Sequence, residues 1–155
     1  MKNTYRSLDD GLTTMQYYNT SADTTPAKTV TFGLDNNGNV LSVTDTGIQA
    51  GPLYTSTYDA LNRVDIFTHN YLNKILDYDY DQYGNRKTLT LKEGTTTVYT
   101  FDYAYTGLDQ LKDLTAPGGT TSLTYWPTGR MKTKTFPTTP PSPPEGEGSP
   151  LSPSP

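Results

Sequence analysis

A seven-residue unit recurs five times in this chain, and its fifth place always holds a residue that tolerates a left-handed backbone. The copies are Leu34-Asp35-Asn36-Asn37-Gly38-Asn39-Val40, Tyr58-Asp59-Ala60-Leu61-Asn62-Arg63-Val64, Tyr80-Asp81-Gln82-Tyr83-Gly84-Asn85-Arg86, Tyr105-Thr106-Gly107-Leu108-Asp109-Gln110-Leu111 and Tyr125-Trp126-Pro127-Thr128-Gly129-Arg130-Met131. Gly38, Asn62, Gly84, Asp109 and Gly129 are of the types that visit positive φ most readily. The second place is Asp in three copies, and an Asp carboxylate bonds the backbone of the turn that follows it. An Asp, two free positions and a left-handed residue predict a three-residue hairpin loop, a type I turn closed by a Gly-type bulge. The first place is aromatic in four copies and ends the incoming strand. Val40, Val64, Leu111 and Met131 open the outgoing one, and Arg86 breaks that column. The copies start at 34, 58, 80, 105 and 125, so the steps are 24, 22, 25 and 20 residues. Fixed turns joined by outer loops of varying length account for such an irregular period.

Strands are expected on both sides of every repeat, over 29–34, 39–44, 53–58, 63–68, 74–80, 86–91, 96–105, 110–115, 120–126 and 130–136. Looser turns fall at 45–52, 69–73, 92–94 and 116–119. Around the third repeat, Asp77, Asp79 and Asp81 alternate with Tyr78 and Tyr80, and a period of two sends the aspartates to one face of a strand and the tyrosines to the other. One short helix is expected around Tyr71 to Leu76, too short to stand alone. Residues 1–28 form a separate N-terminal stretch: Tyr5 to Leu8 and Leu12 to Tyr18 suggest a hairpin about Asp9-Asp10-Gly11, and Asn19 to Lys28 a loop. Residues 137–155 are a Pro- and Ser-rich tail with one apolar side chain, Leu151. Such a segment cannot bury enough surface to offset the entropy of ordering, and a disordered, partly polyproline-II tail is expected.

Composition agrees with an all-β chain. Hydrophobic residues are only 32% of the 155, against a usual share of roughly 45–50%, and mean hydropathy is -0.67. At 18% charged, the chain is not disordered by charge. Its bulk is Thr, Tyr, Asn, Gly and Pro, the first two favouring strands and the others turns. A net charge of -4 gives no basic footprint for nucleic acid. Without Cys there is neither a disulfide framework nor a thiolate metal site. No apolar run follows Met1, so no signal peptide is expected, and no stretch reaches the length of a membrane span.

The second and third repeats closely resemble the YD repeat of the RHS family, whose pattern is Tyr-Asp, two variable residues, Gly, then Arg or Asn and an apolar residue. The resemblance covers about residues 29–136. It is good in the first repeat, where Leu34 replaces Tyr, and degraded in the last two, where Thr106 and Trp126 replace Asp. RHS-family proteins include bacterial polymorphic toxins, the C components of insecticidal toxin complexes and the teneurins of animal cell surfaces. The resemblance implies a meandering, curved open sheet, part of a longer sheet that spirals into a hollow shell, with the repeats as wall and a toxin effector enclosed in the toxins. It implies a secreted or cell-surface setting as part of a larger protein, or a cytoplasmic fragment otherwise. An Asp-Pro-x-Gly-Leu segment after the last repeat, where many members cleave themselves, is missing from this sequence, as is an effector. The expectation is therefore a fragment of a repeat region, with the remainder of such a shell or neighbouring copies as partners through sheet edges.

The residues that suggest chemistry each have a plainer reading. Asp77, Asp79 and Asp81 open like a calcium loop, but an EF-hand needs Gly at its sixth place and Glu at its twelfth, where this chain has Gln82 and Thr88. His69, the single His, has no triad spacing around it. Glu93 and the aspartates as paired carboxylates are weaker still. Exposed Tyr and Asn suggest a surface module for glycans or a protein partner; the plainer reading is that Tyr58, Tyr80, Phe101, Tyr103, Tyr105 and Tyr125 are cross-strand ladders. No catalytic, cofactor or metal residue is assigned, and the expected role is non-catalytic and structural.

Overall fold

The computed structural model describes residues 1–5 and 11–138. Within them the chain is all-β, with twelve strands: β1 (Lys2–Tyr5), β2 (Leu12–Tyr17), β3 (Lys28–Leu34), β4 (Val40–Asp45), β5 (Pro52–Tyr58), β6 (Val64–His69), β7 (Lys74–Tyr80), β8 (Arg86–Glu93), β9 (Thr96–Tyr105), β10 (Leu111–Ala116), β11 (Gly119–Tyr125) and β12 (Met131–Thr135). The sheet is open, and its strand order is the chain order. Two compact parts divide at Thr100/Phe101, inside β9. In the first, β1 to β8 form an antiparallel meander. In the second, β10 pairs with the outer half of β9 and with β11, and β11 with β12.

The strand expectations hold to within a few residues, with β8 running on to Glu93 and β12 stopping at Thr135. The short helix near 71–76 is not formed. Asn73 takes a left-handed φ of 52° and closes a tight turn with Asn73 N–H donating to the Asn70 carbonyl at 3.3 Å. β7 then starts at Lys74, because Ile75 and Leu76 complete cross-strand pairs with Thr68 and Phe67. The N-terminal stretch is a hairpin with Tyr5 opposite Leu12; its turn, and the tail beyond Thr138, lie outside the described residues.

Register sorts the first compact part into two faces. Phe32, Val43 and Tyr54 lie in one cross-strand row, and Phe67, Leu76 and Leu91 in the next. Tyr54 stacks on Phe67 with ring centres 5.5 Å apart. The other face alternates with it: Thr31 with Thr44, Thr55 with Thr68, Asp77 with Thr90 and Asp79 with Thr88. A single layer buries little. Among the described residues only Val30, Leu53 and Asp45 fall in the buried class, and no side chain is fully enclosed. Cross-strand pairs and turn bonds, each worth roughly 0.2–1 kcal/mol, must therefore supply stability that a two-layer core would otherwise give.

Candidate functional site

The five repeats form hairpin turns, three in the first compact part and two in the second, and the second repeat shows how one is built. Asp59 N–H donates to the Arg63 carbonyl at 2.9 Å, and Asn62 N–H to the Asp59 carbonyl at 3.0 Å. These are the closing bond and the type I turn bond of a three-residue loop. Asn62 is left-handed, with φ 59°. The same two backbone bonds recur in all five repeats at 2.8–3.3 Å, and Gly38, Gly84, Asp109 and Gly129 are all left-handed. The Asp59 carboxylate then gathers the remaining donors: Oδ1 accepts from Leu61 N–H (2.9 Å) and Arg63 N–H (3.0 Å), and Oδ2 from Arg63 Nε (2.7 Å). Asp35 and Asp81 are used in the same way, with Asn39 and Asn85 in the part of Arg63. Thr106 offers one hydroxyl to Leu108 and Gln110 N–H, each at 3.2 Å.

Electrostatics follow from those bonds. The Arg63 N–H, then its guanidinium, hold the Asp59 carboxyl below the ordinary carboxylate range. Burial pushes Asp81 up, but the backbone and side chain of Asn85 and the backbone of Tyr83 outweigh it, and the net direction is down. At the opposite end, buried Asp45 is lowered chiefly by its bond to the Lys28 ammonium at 2.8 Å.

Two further links repeat along the turns. The first-place tyrosine donates its hydroxyl to the seventh-place carbonyl of the preceding repeat: Tyr58 to Val40 (3.1 Å), Tyr80 to Val64 (2.8 Å) and Tyr125 to Leu111 (2.6 Å). Burial raises the Tyr80 hydroxyl's pKa. The sixth-place side chain reaches forward to the next turn. Asn39 Nδ2 donates to Asn62 Oδ1 at 2.9 Å, and Gln110 Nε2 to the Gly129 carbonyl at 3.0 Å. The Arg63 guanidinium lies 4.1 Å over the Tyr80 ring, and its Nη1 is buried without a hydrogen-bond partner.

A regular slip accompanies the turns. In each repeat the first and seventh places face each other, and the residue after the seventh is skipped in the pairing: Leu41, Asp65, Lys87, Lys112 and Lys132. Thr13 is skipped likewise beside Tyr5 and Leu12. Such bulges sharpen local twist.

The residues that suggested chemistry do not converge. Asp77 pairs with Lys92 at 2.6 Å and Asp79 with Lys87 at 3.5 Å, both on the Thr face, whereas Asp81 is spent on its own turn. His69 accepts from Leu72 N–H at 3.4 Å and meets Tyr54 edge-on. Glu93 pairs with Lys74 at 2.9 Å. Among the described residues no three His, Asp or Glu side chains gather where they would hold a metal ion, and no helix is long and apolar enough to cross a membrane.

Two grooves were not foreseen. One, of about 340 Å³, lies on the apolar face beside Val43, Tyr54, Tyr58 and Phe67. The other, of about 430 Å³, lies between the fourth and fifth turns against Leu108, Leu123, Tyr125 and Trp126. Its signal in the sequence is Trp126 standing where the other turns place Asp or Thr. Comparison with protein-family models and with curated proteins finds no match to this chain.

Proposed function

We propose that this chain is a non-catalytic structural segment of a YD-repeat protein of the RHS type, contributing wall strands to a toxin-encapsulating shell or a cell-surface scaffold. The observation that supports this reading is the use of the polar side chains. Asp35, Asp59 and Asp81 spend both carboxylate oxygens on their own turns. Tyr58, Tyr80 and Tyr125 spend their hydroxyls on the neighbouring hairpin. Groups engaged in this way brace a sheet and are not free to attack, protonate or coordinate. The hydroxyls of those tyrosines are thereby engaged within the sheet and do not serve the glycan-binding alternative.

A wall segment must join further strands at its edges, since an edge strand presents unpaired N–H and C=O groups. Sedimentation velocity on the full chain should show association that grows with concentration. Lys134→Pro, which removes an N–H from the alternate position of the edge strand β12, the one next to Thr133 and opposite Leu123, should reduce it. A clean monomer at every concentration would sink the wall reading. A discrete self-cleavage product on incubation would replace it with an enzymatic one.

A further inference from the structure

One face of the first compact part is apolar, and no second layer of that part covers it. Phe32, Val43, Tyr54, Phe67, Leu76 and Leu91 share this face through the register of β3 to β8, and each of them is only half-buried. A sheet with one apolar face is stable when that face packs on another element. Strands stand about 4.8 Å apart, so β3 to β8 give a face roughly 29 Å wide, and three rows of side chains make it roughly 20 Å tall. Against a matching face, about 600 Å² on each side would be covered, about 1,200 Å² in all, which reaches the lower end of stable interfaces.

Charge argues that the matching face is the same one on a second copy. At the end of β3 and β4 away from the repeat turn, Lys28 pairs with Asp45 at 2.8 Å. At the corresponding end of β7 and β8, Lys74 pairs with Glu93 at 2.9 Å. All four stand an even number of residues along their strands from Phe32, Val43, Leu76 or Leu91, and so on the apolar face. Between the two pairs lie β5 and β6. A two-fold axis running along the strands between β5 and β6 exchanges β4 with β7 and β3 with β8. It brings Lys28 of one copy toward Glu93 of the other, and Asp45 toward Lys74. The face is complementary in charge to itself. Shape agrees. Ser56 stands opposite Phe67, and this small residue among rings leaves the groove of about 340 Å³ beside Tyr54 and Phe67. Rings and hollow both adjoin the axis, so each copy can set aromatic side chains into the hollow of the other.

We propose that the apolar face of β3 to β8 closes on a second copy of this chain, as a two-fold sandwich of sheets about 10 Å apart. This contact is separate from the edge-to-edge joining of a wall. A two-fold contact uses the same surface on both partners and stops at two copies, whereas edge addition has no such limit.

The full chain carrying Lys134→Pro, which weakens joining at the β12 edge, should retain a two-copy species in sedimentation velocity. In that background Ser56→Arg puts an unpaired charge at the centre of the covered face. It should raise the dissociation constant about a hundredfold or more, with the far-ultraviolet circular dichroism unchanged. A charge exchange gives a readout that misfolding would not reproduce. Lys74→Glu with Glu93→Lys keeps the pair within each copy but reverses it toward the other copy, and should weaken the dimer roughly tenfold. Adding Lys28→Glu and Asp45→Lys reverses the facing pair as well, and should restore the dimer. A Lys134→Pro chain that is monomeric at every concentration would overturn the face contact and leave the wall reading standing. A dimer indifferent to Ser56→Arg, or no recovery in the fourfold charge exchange, would overturn it too. If Lys134→Pro changes nothing and Ser56→Arg removes all association, the face contact stands and the wall reading falls.

Discussion

The second and fifth turns have the same backbone and different side chains. Both close with the same pair of hydrogen bonds around a left-handed residue. In the second, Asp59 receives two backbone N–H groups and the Arg63 guanidinium. In the fifth, Trp126 can accept none of these and is left half in solvent above a groove. The loop therefore does not depend on the Asp for its shape, because the left-handed residue and the two backbone bonds suffice. The carboxylate adds stability on top of shape, and where stability is given up, the position becomes available for another purpose.

The largest test of this division strikes shape itself. Gly84 has φ +92°, and a Cβ there would meet only Arg63 Nη1, at an ordinary 3.7 Å, so Gly84→Val chiefly strains the backbone and should cost about 2 kcal/mol, read by urea unfolding. Next comes the side-chain layer. Asp59→Ala should lower the urea midpoint while leaving the loop's circular dichroism and register intact. Its pH dependence has a definite sign. The folded pKa of Asp59 lies below the ordinary value of 3.8, so its contribution is fully present above that value and is lost as pH falls through the lower folded pKa. The wild-type chain should lose that margin on acidification, and Asp59→Ala should not. If the alanine variant shows the same acid loss, the carboxylate is not what distinguishes the two turns.

Smaller effects separate ladder from turn. Tyr80→Phe removes the bond to the Val64 carbonyl and should cost about 1 kcal/mol, with the second and third repeats loosening in hydrogen exchange. Smallest of all, Trp126→Asp should give the fifth turn the acceptor it lacks. Exchange of the Thr128 and Arg130 amides should slow a few-fold, consistent with a net gain of about 0.5–1 kcal/mol for a turn hydrogen bond. Unchanged exchange would mean that the Asp bonds seen in the other turns are incidental.

What could be read in the sequence was local. Positive φ at Gly38, Asn62, Gly84, Asp109 and Gly129 follows from residue type alone, and the two faces of β7 follow from alternation. What could not be read depends on partners distant in the chain. The skipped residues Leu41, Asp65, Lys87, Lys112 and Lys132 are defined only by the strand opposite. The tyrosines were legible as aromatic rungs, but their acceptors are backbone carbonyls 14 to 18 residues earlier, which carry no residue signature. The misplaced helix has the same origin. Ile75 and Leu76 look helical in isolation, and they are strand because Thr68 and Phe67 stand across from them.

The tyrosine bond has an evolutionary consequence. Each hydroxyl seeks a main-chain carbonyl, a group that every residue supplies, so the joint between hairpins makes no demand on the identity of the side chain it lands on. Val40, Val64 and Leu111 serve equally as acceptors. A hairpin could be duplicated, deleted or exchanged by recombination and still find its attachment point ready-made. An array held by such generic couplings can change its length freely while its individual modules drift, as the Leu34, Thr106 and Trp126 departures from the common pattern illustrate.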